Sequence, residues 1–282
     1  MRNTNYLARL AQGCLGFIEW IKKNKFALVI FLFILASVVY YFYYIRENQL
    51  FPKATLYFMD DLKMPKADQK VLIFSPHPDD ETIAAGGLIY ESILSKVQVK
   101  IVLVTDGNKH HLKDKRYTEF EEATSVLGVK KEDLTFLNYK DGELGREDKG
   151  KVKESFKNIV DSFNPDFIIY PHSKDEHPDH AITGTEVKEI IKDEKREGGY
   201  EYLVHEKYFP HPKKFKPDDY ILPPVYLVTP KTQWFRLMLT EGAEDAKNEA
   251  VLKYKTQLRF LPFREFLYSF VRKNEIFAQH TD

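Results

Sequence analysis

The sequence holds a single cysteine, Cys14, which excludes an intrachain disulfide and leaves the redox compartment unread. It has no Asn-x-Ser/Thr triplet, so nothing supports a glycosylated lumenal domain. Excess charge is missing as well: 42 Lys and Arg stand against 42 Asp and Glu. Without a broad basic field, no nucleic-acid partner is expected. The 282 residues leave room for one large domain or two small ones.

One long apolar run is present. Phe26 to Ile45 is twenty residues without a charge. At about 1.5 Å per residue it crosses a hydrocarbon core of about 30 Å. Tyr40, Tyr41, Tyr43 and Tyr44 suit an interfacial aromatic belt. The run exceeds a signal-peptide core, and no small-x-small site follows between Tyr43 and Phe51, so an uncleaved anchor is expected. Arg2, Arg9, Lys22, Lys23 and Lys25 precede it, against Arg46 and Lys53 after it. That bias places the N-terminus in the cytoplasm and the following domain outside. Residues 1–25 are expected as a cytoplasmic or interfacial segment, where Leu7, Leu10, Cys14, Phe17, Ile18 and Ile21 recur at helical spacing. Leu10 to Cys14 resembles a lipoprotein box, but no apolar run precedes it. The expected order is therefore 1–25, a transmembrane helix at 26–45, a linker at 46–68 and a globular domain at 69–282.

Within that domain, apolar runs alternate with helical patterns. Strands are expected at Val71–Phe74, Val97–Val104, Leu134–Leu137 and Phe167–Tyr170. Helices are expected at Thr82–Leu94, Lys151–Phe163 and Ala181–Lys192. The alternation predicts an α/β fold: a Rossmann-like, mostly parallel sheet with helices on both faces. Beyond Gly198-Gly199 the expected elements are strands at Tyr200–Tyr208 and Val225–Thr229 and a helix at Ala246–Leu258.

The chemistry concentrates at two strand ends. Ser75-Pro76-His77-Pro78-Asp79-Asp80-Glu81 follows the first strand directly. Ligand sites of open α/β sheets form at such carboxyl ends. His77 and Asp80 are three apart, so a turn entering a helix can aim both at one point. Imidazole nitrogen with carboxylate oxygen suits zinc or a similar divalent metal. Asp79 is then free to take a proton from an attacking water. A third ligand is required elsewhere. After Phe167–Tyr170 comes a second loop with His172, Asp175, His177, Asp179 and His180 within nine positions.

Pro76 to Glu81, and His177-Pro178-Asp179-His180, resemble the two motifs of the PIG-L/LmbE-like zinc deacetylases. That family removes acetyl groups from N-acetylglucosaminyl compounds. The resemblance runs from about Gln69 to Gln279. It implies a Zn2+ cofactor, or another divalent transition metal, on His77, Asp80 and His180. It makes Asp79 the general base, His177 the group that polarises the carbonyl or stabilises the oxyanion, and Asp179 a support beside a ligand. Arg116 resembles the family's arginine near the substrate, with a helix-surface ion pair to Glu119 or Glu122 as the other reading. Asp141, in Asp141-Gly142, would hold a sugar hydroxyl. Asp106 reads as a turn former, and the basic loop around His110 and His111 as a solvated face or lid. Lys247, Ala250, Tyr254 and Gln257, with the stretch from Arg272 to Phe277, resemble the family's closing features and read as packing and capping.

A membrane anchor favours a glycolipid, a lipid-linked sugar or a surface polysaccharide as the amino-sugar substrate, because tethering raises the local concentration at the bilayer. Two other readings stand beside it. One is a zinc amidase for a different amide, and the other is a tethered, non-catalytic carbohydrate-binding protein.

Overall fold

The computed structural model describes residues 20, 23–47, 53–109 and 111–280. The expected amphipathic segment with Cys14 and residue His110 lie outside the described residues, as does the Tyr44 side chain. The chain divides into two compact units, 1–50 and 51–282. In the first, helix α1 spans Lys25–Glu47. Its Lys25–Tyr43 stretch is long and apolar enough to cross a membrane and is unburied.

The second unit is built on one eight-stranded sheet in the order β1-β7-β8-β6-β5-β2-β3-β4. Its central strands are β2 (Lys70–Ser75), β3 (Gln98–Thr105), β5 (Phe167–Pro171) and β6 (Gly199–Tyr202). Neighbours among them pair in parallel, as does β4 (Leu134–Tyr139) with β3. Strand β8 (Asn274–His280) is antiparallel to both β6 and β7 (Thr232–Met238). The short β1 (Asp60–Asp61) runs parallel to β7, so the stretch expected as linker adds an edge strand, and Leu56, Met59 and Leu62 are buried.

Strand β2 shows how both faces are covered. Val71 and Ile73 join one apolar cluster with Leu103, Phe120 and Phe277. Leu72 and Phe74 point the other way and pack with Val104, Phe156 and Val187. Alternate residues face opposite sides of a strand, so a continuous apolar run is what a doubly covered parallel sheet needs.

Helix α2 (Asp80–Leu94) leaves helical geometry at Ala85 (φ −138°, ψ 16°). The Glu275 carboxylate of β8 accepts from the Gly87 and Leu88 amides at 2.8 and 3.0 Å. The Lys247 ammonium neutralises it at 2.7 Å, with both side chains fully buried. A Cβ at Gly87 would lie 2.3 Å from Leu239 Cδ2, so a larger residue there would have to displace the Leu239 side chain.

Three expected elements differ. The strand read over Tyr200–Tyr208 stops at Tyr202, because Asp175, not a neighbouring strand, takes the Val204 and His205 amides. Val225–Leu227 is a single 3-10 turn: after Pro224, the Leu227 and Val228 amides close turn bonds back to the Pro224 and Val225 carbonyls. The helix read over Ala246–Leu258 is two, α6 (Glu241–Val251) and α7 (Lys255–Leu258), broken where Tyr254 sends its hydroxyl to Glu81.

Candidate active site

Three helices begin where strands end, and two of them carry the motifs. Strand β2 leads through His77 and Pro78 into α2, whose N-cap is Asp79. Strand β5 leads through the second loop into α5 (Pro178–Asp193), whose N-cap is His177. The strands are direct neighbours, so the loops open on one crevice. Helix α3 (Lys113–Val126), after β3, adds Arg116.

His77 Nδ1 lies 3.2 Å from His180 Nε2. Asp80 Oδ2 lies 3.2 Å from His77 Nδ1 and 2.9 Å from His180 Nε2. Ligand atoms on a tetrahedral ion with bonds of about 2.0 Å stand about 3.3 Å apart, so these three donors fit one ion. His205 contributes a fourth donor atom to the same group. A second group shares His77 with Asp141, His177 and Asp179; in it Asp141 faces Arg116 and Asp179 is held by backbone amides. Asp179 accepts from His77 Nε2 at 3.1 Å and from the Gly142 and Leu144 amides at 2.7 and 3.2 Å. It thereby fixes the His77 ring with Nδ1 turned to the first group, the arrangement by which carboxylates orient metal-binding imidazoles.

The electrostatics ask for a cation. Burial works against charge on His77, yet hydrogen bonds to Asp179 and Asp80 lift it to about 9. Burial also opposes charge on His180, and Asp80 with Asp175 lifts it to about 10. Asp80 lies well below the usual carboxylate range: burial pushes it up, and the two imidazoles overcome that. Protons on two rings thus supply the positive charge that a divalent ion would bring. The donor set, its spacing and its charge fit such an ion.

Asp79 stands apart from the donors. Its backbone is strained at φ 130°, a region costly for a residue with a Cβ. Arg116 Nη2 donates to Pro78 O at 2.9 Å and reaches Asp79 Oδ2 at 3.3 Å. Burial pushes the Asp79 carboxyl up to about 8, against the pull of Arg116. Arg116 Nη1 donates to Gly107 O at 3.1 Å and lies 3.4 Å from Asp141 Oδ2. Gly107 has φ +58°, and a Cβ there would meet Pro78 Cδ at 2.9 Å, so this turn presses on the first loop. Glu119 bonds Thr256, which leaves Arg116 free of the helix-surface pairing. Below Asp79, the buried Glu81 carboxylate accepts from Ser75, Thr82 and Tyr254 hydroxyls.

His177 Nδ1 accepts from the Asp179 amide at 3.3 Å, so its neutral ring carries hydrogen on Nε2. Burial first, then repulsion from His77 and His180, lowers it to about 4. A cavity of about 350 Å³ opens on His77, Asp79, Arg116, Asp141, His177 and His205, with Phe263, Phe266 and Leu267 as its apolar wall.

Two residues with roles in this geometry carried no role from the sequence. Asp175 accepts from the amides of His177, Val204 and His205 and lies 3.4 Å from His180 Nδ1. His205 follows β6 at the same sheet edge. The shared signal was position just beyond a parallel strand. His172 stays outside the cluster: its Nδ1 accepts from the Lys174 amide, and its Nε2 lies 3.5 Å from Glu201, already paired with Lys188. Asp106 Oδ1 accepts from the Asn108 and Asp141 amides as a turn former does, and His111 is exposed.

A mostly parallel sheet thus carries at its carboxyl edge a His/Asp cluster whose donors could hold a divalent ion. Residues 72–191 match the family model PIG-L: GlcNAc-PI de-N-acetylase, and the resemblance carried by the two motifs stands. A probable N-acetyl-alpha-D-glucosaminyl L-malate deacetylase 2 of Bacillus anthracis is 32% identical over 140 residues, 45% of this chain and 61% of that protein. A diacetylchitobiose deacetylase of Thermococcus kodakarensis is 30% identical over 128 residues, 41% of this chain and 46% of that one. The chain thus spans less than two thirds of the length of these curated relatives. Among solved structures, the N,N'-diacetylchitobiose deacetylase of Pyrococcus horikoshii superposes with a TM-score of 0.55 at 23% identity, covering 76% of this chain and 84% of that one. That likeness carries the fold.

Proposed function

We propose that the chain is a membrane-anchored, zinc-dependent N-deacetylase. Its substrate is an N-acetylglucosamine-type sugar in a glycolipid, lipid-linked sugar or surface polysaccharide. The observation that carries the reading is the shared focus of His77, Asp80 and His180, with Asp79 and His177 beside it but outside the donor triangle. The named activities of the sequence relatives support an amino-sugar substrate. The apolar helix α1 supports an anchor, and the basic residues ahead of it favour a cytoplasmic N-terminus with the catalytic domain outside. Phe263, 48% exposed at the cavity wall beside Phe266 and Leu267, suits an apolar aglycone.

His77, Asp80 and His180 would hold the ion. When bound, it supplies Lewis acidity, acidifying water and drawing electron density from the acetyl carbonyl. Asp79 takes a proton from the attacking water, and a base whose pKa lies near the working pH does this best. The neutral His177 ring donates its Nε2 hydrogen to the carbonyl oxygen as charge gathers there. One such donor contributes about 3 kcal/mol. Asp79 returns the proton to the departing nitrogen as the C–N bond breaks, giving acetate and a free amine. Arg116 and Asp141 hold sugar hydroxyls, and Asp179 keeps the His77 ring in place.

The test is acetate release by the zinc-loaded full chain in detergent from a panel of glycolipid, lipid-linked, polymeric and small soluble N-acetylglucosamine compounds. Release from lipid- or polymer-linked sugars is expected. A preference for a small free glycoside over all of these overturns the substrate assignment, and no release from any overturns the activity.

A further inference from the structure

His205 is built into the site from two sides. Asp175 Oδ2 accepts from the Val204 and His205 amides at 3.0 and 2.9 Å, and the Glu176 amide donates to the His205 carbonyl at 2.7 Å. The same carboxylate stands 3.4 Å from His180 Nδ1, so the backbone of His205 and the ring of His180 share one anchor. The His205 ring stacks on Phe266, centroids 5.4 Å apart, and meets His180 edge-on at 4.6 Å. Among the described residues its ring nitrogens have no hydrogen-bond partner. One of them lies within 4.8 Å of donor atoms of His77, Asp80 and His180 at once. The ring is thus held between Phe266 and His180 while its nitrogens bond no other described residue.

We propose that His205 is a fourth protein ligand, so that three imidazoles and one carboxylate hold the ion. The inference rests on the metal site of the deacetylase reading and on no feature of its substrate. Three protein ligands are the usual complement of a catalytic zinc site, which keeps its fourth position open. A fourth ligand makes the ion tighter and leaves room for substrate only through five-coordination. The His205 donor already lies within 4.8 Å of the other three, and Phe266 backs its ring from the other side.

The test uses the full chain and needs no turnover. X-ray absorption fine structure of the zinc-loaded protein counts imidazoles from their outer-shell scattering: three are expected, and two overturn the proposal. His205→Ala is expected to weaken zinc at least about 100-fold by chelator competition, beyond the loss typical of a residue that only supports a ligand. It is also expected to change the visible spectrum of the cobalt-loaded protein. The metal-free melting curve of His205→Ala controls for folding, and the wild-type imidazole count stands even if that variant fails to fold. Unchanged zinc affinity and an unchanged cobalt spectrum overturn the proposal while leaving the three-ligand deacetylase intact. A wild-type chain that binds no metal overturns both.

Discussion

His77 Nδ1 and His180 Nε2 lie 3.2 Å apart, although 103 positions separate them in the chain. Two parallel neighbours, β2 and β5, bring them together by ending at the same edge of the sheet. Asp80 then closes the triangle from the first turn of the helix that His77 introduces.

His180→Ala removes one corner of that triangle. The variant is expected to lose its metal on dialysis, where the wild type retains one ion per chain. Elemental analysis of both proteins checks it.

Asp79→Asn leaves the donors untouched. Metal content is expected to match the wild type while turnover falls about 10²- to 10⁴-fold, the usual contribution of a positioned base. Normal turnover in this variant removes the base assignment.

Metal affinity is expected to rise with pH. His77 and His180, at about 9 and about 10 in the metal-free site, must give up protons to bind an ion. Affinity therefore climbs from neutrality toward pH 9, with up to two protons released per ion, and levels off above pH 10. The metal-free fold shows the matching trend. Both folded pKa values exceed the unfolded 6.5, so their contribution is complete below pH 6.5 and is lost as pH rises through 9 to 10. Calorimetric titration in two buffers measures the protons released, and thermal melting against pH measures the stability. Affinity independent of pH contradicts the protonation assignment.

Arg116→Met should move the pH profile. The guanidinium holds the Asp79 carboxyl below where burial alone would put it. Without it the acidic limb of kcat/KM is expected to shift to higher pH, and a limb that stays put shows that the two are uncoupled in catalysis.

Lys247→Met strands the buried Glu275 carboxylate behind α2. Breaking one side of such a pair costs about 3–5 kcal/mol. Urea unfolding of the metal-free protein is expected to show it as a lower midpoint, and an unchanged midpoint removes the pair from the stability account.

The two motif loops were legible because their information is local. Each is a continuous apolar run followed at once by His and Asp, and β2 and β5 end where those runs end. His205 was hidden by the same reasoning applied to a wrong boundary. A strand read through Tyr208 buries His205 in its middle, whereas β6 ends at Tyr202 and puts His205 just beyond the edge. What ends it is a side chain, Asp175, from another loop, and no local pattern records that bond. The break before Tyr254 was illegible for a like reason: its cause is Glu81, 173 positions away.

The account stands on one shared ion. An anomalous difference map at the zinc edge, from crystals of the metal-loaded chain, tests it most directly. The expected result is a single peak about 2.0–2.2 Å from His77 Nδ1, Asp80 Oδ2 and His180 Nε2. A peak that lacks either imidazole, or separate peaks on the two, contradicts it.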